Sequence, residues 1–339
     1  MAELEYLIWI FTGACNLACQ HCYAWRFRGL PELGLEERLR LVDEAVEMGV
    51  EYVNLAGGEP LLHPHTPPVL ERLGDHGVEK SVVTNATSVS EEVARVLART
   101  ETEVMVSIDG PRDAHDAVRG AGSFERTLRG IEVLKRHVGQ VAAVFTVSPL
   151  NWRRAGETID LLASLGIEAA AVLPAMPSGR ARETGAFIGP REYLSALLEA
   201  GRRAGELGVR LSAWCTPWAP LVRGLERVGS WFCRGARGVD LDPAGGVLLC
   251  DVLDFRLSSA RGAGLREAVR KARGHPLSRL VARPPRLPEA CAQCPLSPLC
   301  RGGCYARAYL LRGDLNAGDP LCPRVSLGLA LEERAGRYL

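Results

Sequence analysis

The chain has 339 residues, 47% of them hydrophobic and 24% charged, with a formal net charge of +1. That is the make-up of a soluble globular protein with room for one large domain and a smaller one. The balanced charge excludes a global basic field for nucleic acid. No apolar run approaches the ~18–20 residues needed to cross a bilayer, and the acidic start Met1–Glu5 is unlike a secretory signal, so the expectation is a cytoplasmic chain with no nucleic-acid and no membrane partner.

The first half alternates short β-branched runs with amphipathic stretches. Strands are predicted at Tyr6–Phe11, Tyr52–Ala56, Ser81–Thr84, Val104–Ile108, Val141–Val147 and Ala169–Leu173. Helical spacing falls at Leu35–Met48, Pro68–Leu73, Ser90–Leu97, Phe124–Arg136, Trp152–Leu165 and Pro190–Leu207. Six successive βα units predict an α/β fold with a parallel sheet, as a partial or full TIM-type barrel or, alternatively, a doubly wound sheet. In either arrangement chemistry gathers beyond the carboxyl ends of the strands. After about residue 208 the rhythm is expected to break. Val239–Cys250 then reads as a β-hairpin, and a Pro- and Arg-rich stretch leads into a dense cysteine block. The domain reading is 1–180, a connecting helical segment 181–214, and a loop-rich unit 215–339.

The chain carries eleven cysteines. A disulfide framework fits badly, because such proteins are small and secreted; clustered thiols in a larger cytosolic chain more often bind metal. Directly after the first strand, Cys15, Cys19 and Cys22 keep the spacing C-x3-C-x2-C, with Tyr23 next. A 4Fe–4S cluster normally takes four thiolates, so three on one loop leave an iron open to an outside molecule. A structural zinc site needs a closed set of four, and the next cysteine, Cys215, is far along the chain.

These residues resemble the radical SAM superfamily. The resemblance implies a cluster whose open iron chelates the amino and carboxylate groups of S-adenosylmethionine (SAM), reductive cleavage to a 5′-deoxyadenosyl radical, and hydrogen abstraction from substrate. Gly57-Gly58-Glu59-Pro60 after the second strand is similar to the family's GGEP loop, which holds the SAM ammonium; as residues alone it also reads as a strand-to-helix turn. Thr84-Asn85-Ala86 is similar to its TNG element. Ser107, and Arg119 twelve residues on, match positions that contact the SAM ribose and carboxylate, a pairing suited to a guanidinium. A surface Arg is the plain alternative. His115 and Asp116 read as catalytic candidates or as a helix-start cap, the cap being preferred.

The other cysteines resemble the SPASM extension of this superfamily: Cys233-x11-Gly245-x4-Cys250, then Cys291-x2-Cys294-x5-Cys300-x3-Cys304, then Cys322. The resemblance implies two auxiliary 4Fe–4S clusters, and three clusters in all. Cys291, Cys294, Cys300 and Cys322 would hold one; Cys233, Cys250 and Cys304 would hold the other, with Cys215 as the fourth ligand or as a buried free thiol. The fold expected is therefore a partial (β/α)6 radical SAM barrel with a C-terminal SPASM domain.

Asp251, following Cys250, resembles the acid group that deprotonates substrate in the sulfatase-maturing branch, or equally caps a turn. Ala56 and the missing Gln before Thr84-Asn85 depart from that branch. The expected substrate is a ribosomal peptide or protein. Alternatives are a tetrapyrrole, which Pro174 and Gly179-Arg180-Ala181 favour, or maturation of a tungsten or pterin cofactor. Reduced ferredoxin or flavodoxin is the expected electron donor. A non-catalytic iron–sulfur carrier or a zinc protein is the competing class, against which the SAM-loop residues argue.

Overall fold

The computed structural model describes residues 3–234 and 236–328, so 329–339 at the end of the expected second domain lies outside the described residues. The six expected strands are present as β1 (Tyr6–Thr12), β2 (Tyr52–Gly57), β3 (Glu79–Thr84), β4 (Glu103–Ser107), β5 (Ala142–Val147) and β6 (Ala169–Pro174). Between them run α1 (Leu35–Glu47), α2 (Thr66–Asp75), α3 (Glu91–Arg99), α4 (Arg112–Arg119), α5 (Ser123–Val138) and α6 (Ala155–Ser164). Each strand pairs in parallel with the next. A parallel sheet is covered on both faces, and the apolar alternation assigns side chains to each. Leu7, Trp9 and Phe11 of β1 pack into the large outer core beneath the helices. Ile10 turns inward, against Ala24, Phe27, Ala56 and Leu248. The inner faces of β4–β6 carry Met105, Ala142, Val144 and Ala171.

Local chemistry sets the helix ends. Ser90 caps α3 by accepting from Val93 N (3.2 Å), with Glu91 and Glu92 in the first turn and Arg99 in the last, each complementing the helix dipole. The segment after β6 holds α7 (Arg180–Thr184) and α8 (Pro190–Leu207). α8 starts on a proline, ends before Gly208 at φ +73, and packs on α6.

The parallel rhythm does not stop at residue 208. A seventh strand, β7 (Arg210–Ala213), pairs in parallel with β6, and β8 (Gly229–Ser230) pairs with β7. Arg210-Leu211-Ser212-Ala213 has no apolar run long enough to be read as a strand; its place on the sheet edge makes it one. The expected hairpin forms as β9 (Gly238–Leu241) and β10 (Gly246–Leu248), extended by β11 (Arg256–Ser259). It joins the same sheet, because β9 runs parallel to β1 from Tyr6↔Gly238 to Trp9↔Leu241. Gly238 is required there: a Cβ would lie 2.0 Å from the Tyr6 ring. The result is one open sheet of eleven strands in the order β11-β10-β9-β1-β2-β3-β4-β5-β6-β7-β8. The hairpin thereby brings the second half of the chain alongside the end of β1.

Candidate iron–sulfur and cofactor site

The carboxyl ends of β1–β4 lie together, and each is followed by a sequence-selected residue. β1 ends at Thr12, and the next residue has no room for a side chain: a Cβ on Gly13 would lie 2.2 Å from the Phe27 carbonyl oxygen. Glu32 fixes this exit. Its Oε1 accepts from Thr12 Oγ1 (2.7 Å) and Gly13 N (2.9 Å), while Oε2 pairs with the fully buried Arg38 (3.1 Å) and with His63 (3.1 Å). The loop then passes through Cys15, Cys19 and Cys22. Arg28 donates to the carbonyls of Cys15 (3.2 Å) and Leu17 (2.8 Å), and Arg180 donates to that of Ala18. Trp25 lies between these two guanidiniums, 3.8 and 5.1 Å from its ring centroid.

The glycine pair of the second loop is a matter of close approach. Gly57 has φ +119, and a Cβ on Gly58 would lie 2.0 Å from the Ala14 carbonyl oxygen. Bare backbone lets Gly58 N reach Thr12 O (2.7 Å) and Glu59 N reach Ala14 O (2.8 Å), so the β1–β2 pairing continues into the cysteine loop. Glu59 is buried and accepts from Thr84 Oγ1 (2.8 Å), Asn85 N (2.7 Å) and Leu61 N (3.1 Å). Burial raises its carboxyl above the usual range, and these donors oppose the rise. Asn85 Nδ2 in turn donates to Asn16 Oδ1 (2.9 Å) and approaches Cys15 Sγ (3.8 Å). Three strand ends are thus tied to one loop.

Ser107 ends β4 and is buried. Arg119 is buried with it: Nε donates to Asp109 Oδ2 (2.6 Å) and Nη1 lies 4.0 Å from Cys19 Sγ. Asp109 also binds His21 Nε2 (2.7 Å) and accepts from Thr146 N (2.9 Å). Burial alone would raise the Asp109 carboxyl, but Arg119 and His21 outweigh it and hold it well below the carboxylate range. His21 lies inside the cysteine motif and Asp109 at a strand end, and nothing in their spacing along the sequence shows that they meet. Asp116 caps the start of α5, accepting from Gly122 N and Phe124 N (2.8 Å each). His115 is buried, its Nδ1 3.3 Å from Asp109 N, and burial with the Arg119 charge lowers it to about 4.

The remaining cysteines fall in two neighbourhoods. Burial raises the thiols of Cys215, Cys233 and Cys250, and the nearby Cys304 thiol adds to each rise. Cys291, Cys294, Cys300 and Cys322 line one small cavity together. Cys215 adopts φ +53, and its carbonyl accepts from Arg307 (2.9 Å). The frame between the two groups is polar and buried. Arg307 pairs with Asp319 through two bonds (2.8 and 2.6 Å), both residues essentially inaccessible, and Asp319 also accepts from Cys304 N (3.2 Å) and Leu321 N (2.9 Å). Arg234 donates to the carbonyls of Gly303 (3.0 Å), Val281 (2.9 Å) and Leu315 (3.0 Å).

Asp251 faces the first cysteine loop. Its carboxylate interacts with the Tyr23 hydroxyl and lies 3.6 Å from Cys250 Sγ. Its backbone N donates to Asp240 Oδ2 (2.8 Å), and donor atoms of Asp240, Cys250 and Asp251 all lie within 4.8 Å of one another. Asp240 sits inside the predicted hairpin but was not selected, because it looks like an ordinary alternating strand residue.

The donor set fits iron–sulfur clusters. Burial pushes the thiols of Cys15 and Cys22 up and that of Cys19 to about 12. Burial likewise raises Cys291, and Cys322 to about 12, with neighbouring thiols adding to the rise. Thiols packed this way become thiolates only around a cation that offsets their burial and mutual repulsion.

Comparison with known proteins places this geometry. The model of the radical SAM superfamily matches residues 9–173. The mycofactocin maturase MftC of Mycobacterium tuberculosis is 31% identical over 336 residues, covering 93% of this chain and 82% of its own. The chain belongs to the radical SAM superfamily. An AdoMet-dependent heme synthase of Methanosarcina barkeri is 29% identical, covering 93% of this chain and 95% of its own. Among solved structures, anSMEcpe with bound AdoMet and Cp18Cys peptide superposes with a TM-score of 0.74 at 20% identity, covering 94% of this chain and 93% of its own. Streptococcus suis SuiB bound to precursor peptide SuiA superposes at 0.75 with 12% identity, covering 95% and 76%. This radical SAM chain is an enzyme of the SPASM branch, and its family uses a 4Fe–4S cluster and SAM. No helix among the described residues is long and apolar enough to cross a membrane.

Proposed function

We propose that this radical SAM enzyme modifies a ribosomal peptide or protein in the cytoplasm, using three 4Fe–4S clusters and an electron from reduced ferredoxin or flavodoxin. The reading is supported by three thiols on one loop beside the Gly57-Gly58 turn and by the cavity that Cys291, Cys294, Cys300 and Cys322 line together. Cys15, Cys19 and Cys22 would hold the SAM-binding cluster; Cys215, Cys233, Cys250 and Cys304 one auxiliary cluster; Cys291, Cys294, Cys300 and Cys322 the other. A cluster on three thiolates supplies an iron site for SAM and the electron that cleaves it to the 5′-deoxyadenosyl radical. The chain's own residues do the rest. Gly57 and Gly58 keep the backbone close to the cysteine loop and expose main-chain acceptors for the SAM ammonium. Asn85, Ser107 and Arg119 frame the same space, and Tyr23 joins it to Asp251.

Asp251 takes the substrate proton at a carboxylate oxygen, with Asp240 fixing its backbone. Asp251→Asn is therefore expected to go on making 5′-deoxyadenosine while product falls by ~100-fold, within the range for loss of a general base. Mass spectrometry of the peptide beside chromatography of 5′-deoxyadenosine checks this, and a parallel loss of both products would remove the assignment.

The peptide reading draws on MftC and on the peptide-bound anSMEcpe and SuiB. A tetrapyrrole reading has its own support in the heme synthase similarity and in Gly179-Arg180. There Gly179, at φ +54, packs against the carbonyls of Cys22 and Tyr23, and Arg180 N donates to Cys22 O (2.9 Å). Anaerobic reconstitution of wild type and of the triple variant Cys15→Ala, Cys19→Ala, Cys22→Ala tests the common core. About twelve irons falling to about eight, with 5′-deoxyadenosine made by wild type alone, is the expected result. About four irons in wild type would discard the auxiliary clusters. Product formation from a precursor peptide or from an iron tetrapyrrole then separates the two substrates.

A further inference from the structure

The cavity lined by Cys291, Cys294, Cys300 and Cys322 has another wall, Trp218. This indole is 0% exposed, and its Nε1 has no hydrogen-bond partner among the described residues. Its ring is held edge-on to Tyr193, with centroids 6.0 Å apart at 90°, and Tyr193 is itself fixed by Thr216 (2.7 Å). A buried indole N–H without an acceptor carries its full desolvation penalty, and buried polar groups that look orphaned mark a missing partner. Tryptophan is tolerated in a core where its N–H finds an acceptor. The other thiol groups already have such donors: Leu17 N to Cys15 Sγ (3.4 Å) and Arg307 N to Cys304 Sγ (3.5 Å).

We propose that Trp218 is a positioning residue for the iron–sulfur cluster held by Cys291, Cys294, Cys300 and Cys322, its Nε1–H donating to a sulfur of that cluster and setting its reduction potential. The inference rests on the reading of those four thiols as a cluster site. The acceptor is an inorganic sulfide or a ligating thiolate, the electron-rich atoms that such a cavity would present to an N–H. A donor here places partial positive charge beside a core that gains one negative charge on reduction, so it stabilises the reduced state. A phenyl ring at 218 keeps the contact with Tyr193 and removes only the indole donor.

The experiment uses the reconstituted full-length enzyme. Trp218→Phe is compared with wild type by iron count and by EPR-monitored redox titration. The cluster of interest is the one whose signal is missing from the quadruple variant Cys291→Ala, Cys294→Ala, Cys300→Ala, Cys322→Ala. Expected is an unchanged iron count with that cluster's midpoint moved to more negative potential and the other two midpoints unmoved. Independently, wild type labelled with ¹⁵N-tryptophan should show an indole nitrogen hyperfine coupling in the signal that develops at that midpoint. An unmoved midpoint in Trp218→Phe, or no ¹⁵N coupling in wild type, overturns the assignment. Should Trp218→Phe fail to retain iron, the wild-type coupling alone decides. Full iron in the quadruple variant Cys291→Ala, Cys294→Ala, Cys300→Ala, Cys322→Ala would instead overturn the underlying cluster reading, and the inference with it.

Discussion

Asp319→Ala is expected to destabilise the C-terminal half by ~3–5 kcal/mol and to lower the iron content of the reconstituted enzyme from about twelve to about four per chain. The carboxylate is inaccessible, and it neutralises an equally buried guanidinium through two bonds of 2.8 and 2.6 Å. Removing it leaves Arg307 charged where water cannot reach. The same carboxylate takes the backbone N–H of Cys304 and of Leu321, the residues that lead into one cysteine group and into Cys322 of the other. Loss of the pair therefore loosens both groups at once. Urea unfolding and iron analysis measure the two effects. The double variant Arg307→Met with Asp319→Leu should recover a large part of the stability, because a buried ion pair replaced by apolar groups of similar volume is often neutral or better. Formation of 5′-deoxyadenosine should survive in Asp319→Ala, since Cys15, Cys19 and Cys22 are held by a separate frame. An unaltered iron count would show that this ion pair does not organise the auxiliary thiols.

That buried pair also marks the limit of what the sequence made legible. Arg307 and Asp319 lie inside the stretches that resemble the SPASM extension, and their neighbours were read correctly as a cysteine-rich block. Their partnership was not readable, because Asp319 lies twelve positions on from Arg307, beyond the end of the helix Tyr305–Arg312, and no period links them. The same holds for Asp109, whose three partners His21, Arg119 and Thr146 come from a loop, a helix and a strand. What was legible had a period or a fixed spacing. The six strands carry apolar alternation with turn signals, and each lies within two residues of its expected bounds. The first cysteine loop has a fixed spacing, C-x3-C-x2-C. β7 escaped notice because four residues, one of them Arg and one Ser, give too short a pattern; the edge of β6 supplies the hydrogen bonds that decide it. The parallel pairing of β9 to β1 escaped for a different reason. A hairpin is a local object, and its docking onto the far side of the sheet is a tertiary event that only the small size of Gly238 hints at.

Gly58→Ala is expected to abolish radical chemistry with less damage to the fold than Asp319→Ala. The added methyl would lie 2.0 Å from the Ala14 carbonyl oxygen and 2.6 Å from its carbon, both backbone atoms that cannot rotate away. One of the two chains must retreat by an ångström or more. The bonds Gly58 N to Thr12 O and Glu59 N to Ala14 O then break, and the cysteine loop loses its register against the second strand. A displacement of ~1 Å in reacting groups can lower a rate by ~100-fold, so 5′-deoxyadenosine production should fall by at least that factor. Glu59 would move with the loop, drawing Thr84 and Asn85 out of place and weakening SAM binding as well. The other eight cysteines take no part in the Gly58–Ala14 contact, so about eight irons should remain even if the first cluster is lost. Gly77→Ala is the control for glycine loss without a clash. Gly77 has a positive φ, +67, which Gly58 lacks, and a Cβ there meets nothing within 4 Å. Its substitution should cost only the ~1–2 kcal/mol of a non-glycine left-handed residue and leave SAM cleavage at the wild-type rate. Equal loss in both variants would remove the close-approach argument, because Gly77 has no atom for a Cβ to meet. Loss confined to Gly58→Ala would assign the effect to the approach of the two loops, in which the bare backbone of one strand end lies against the thiol-bearing loop of its neighbour.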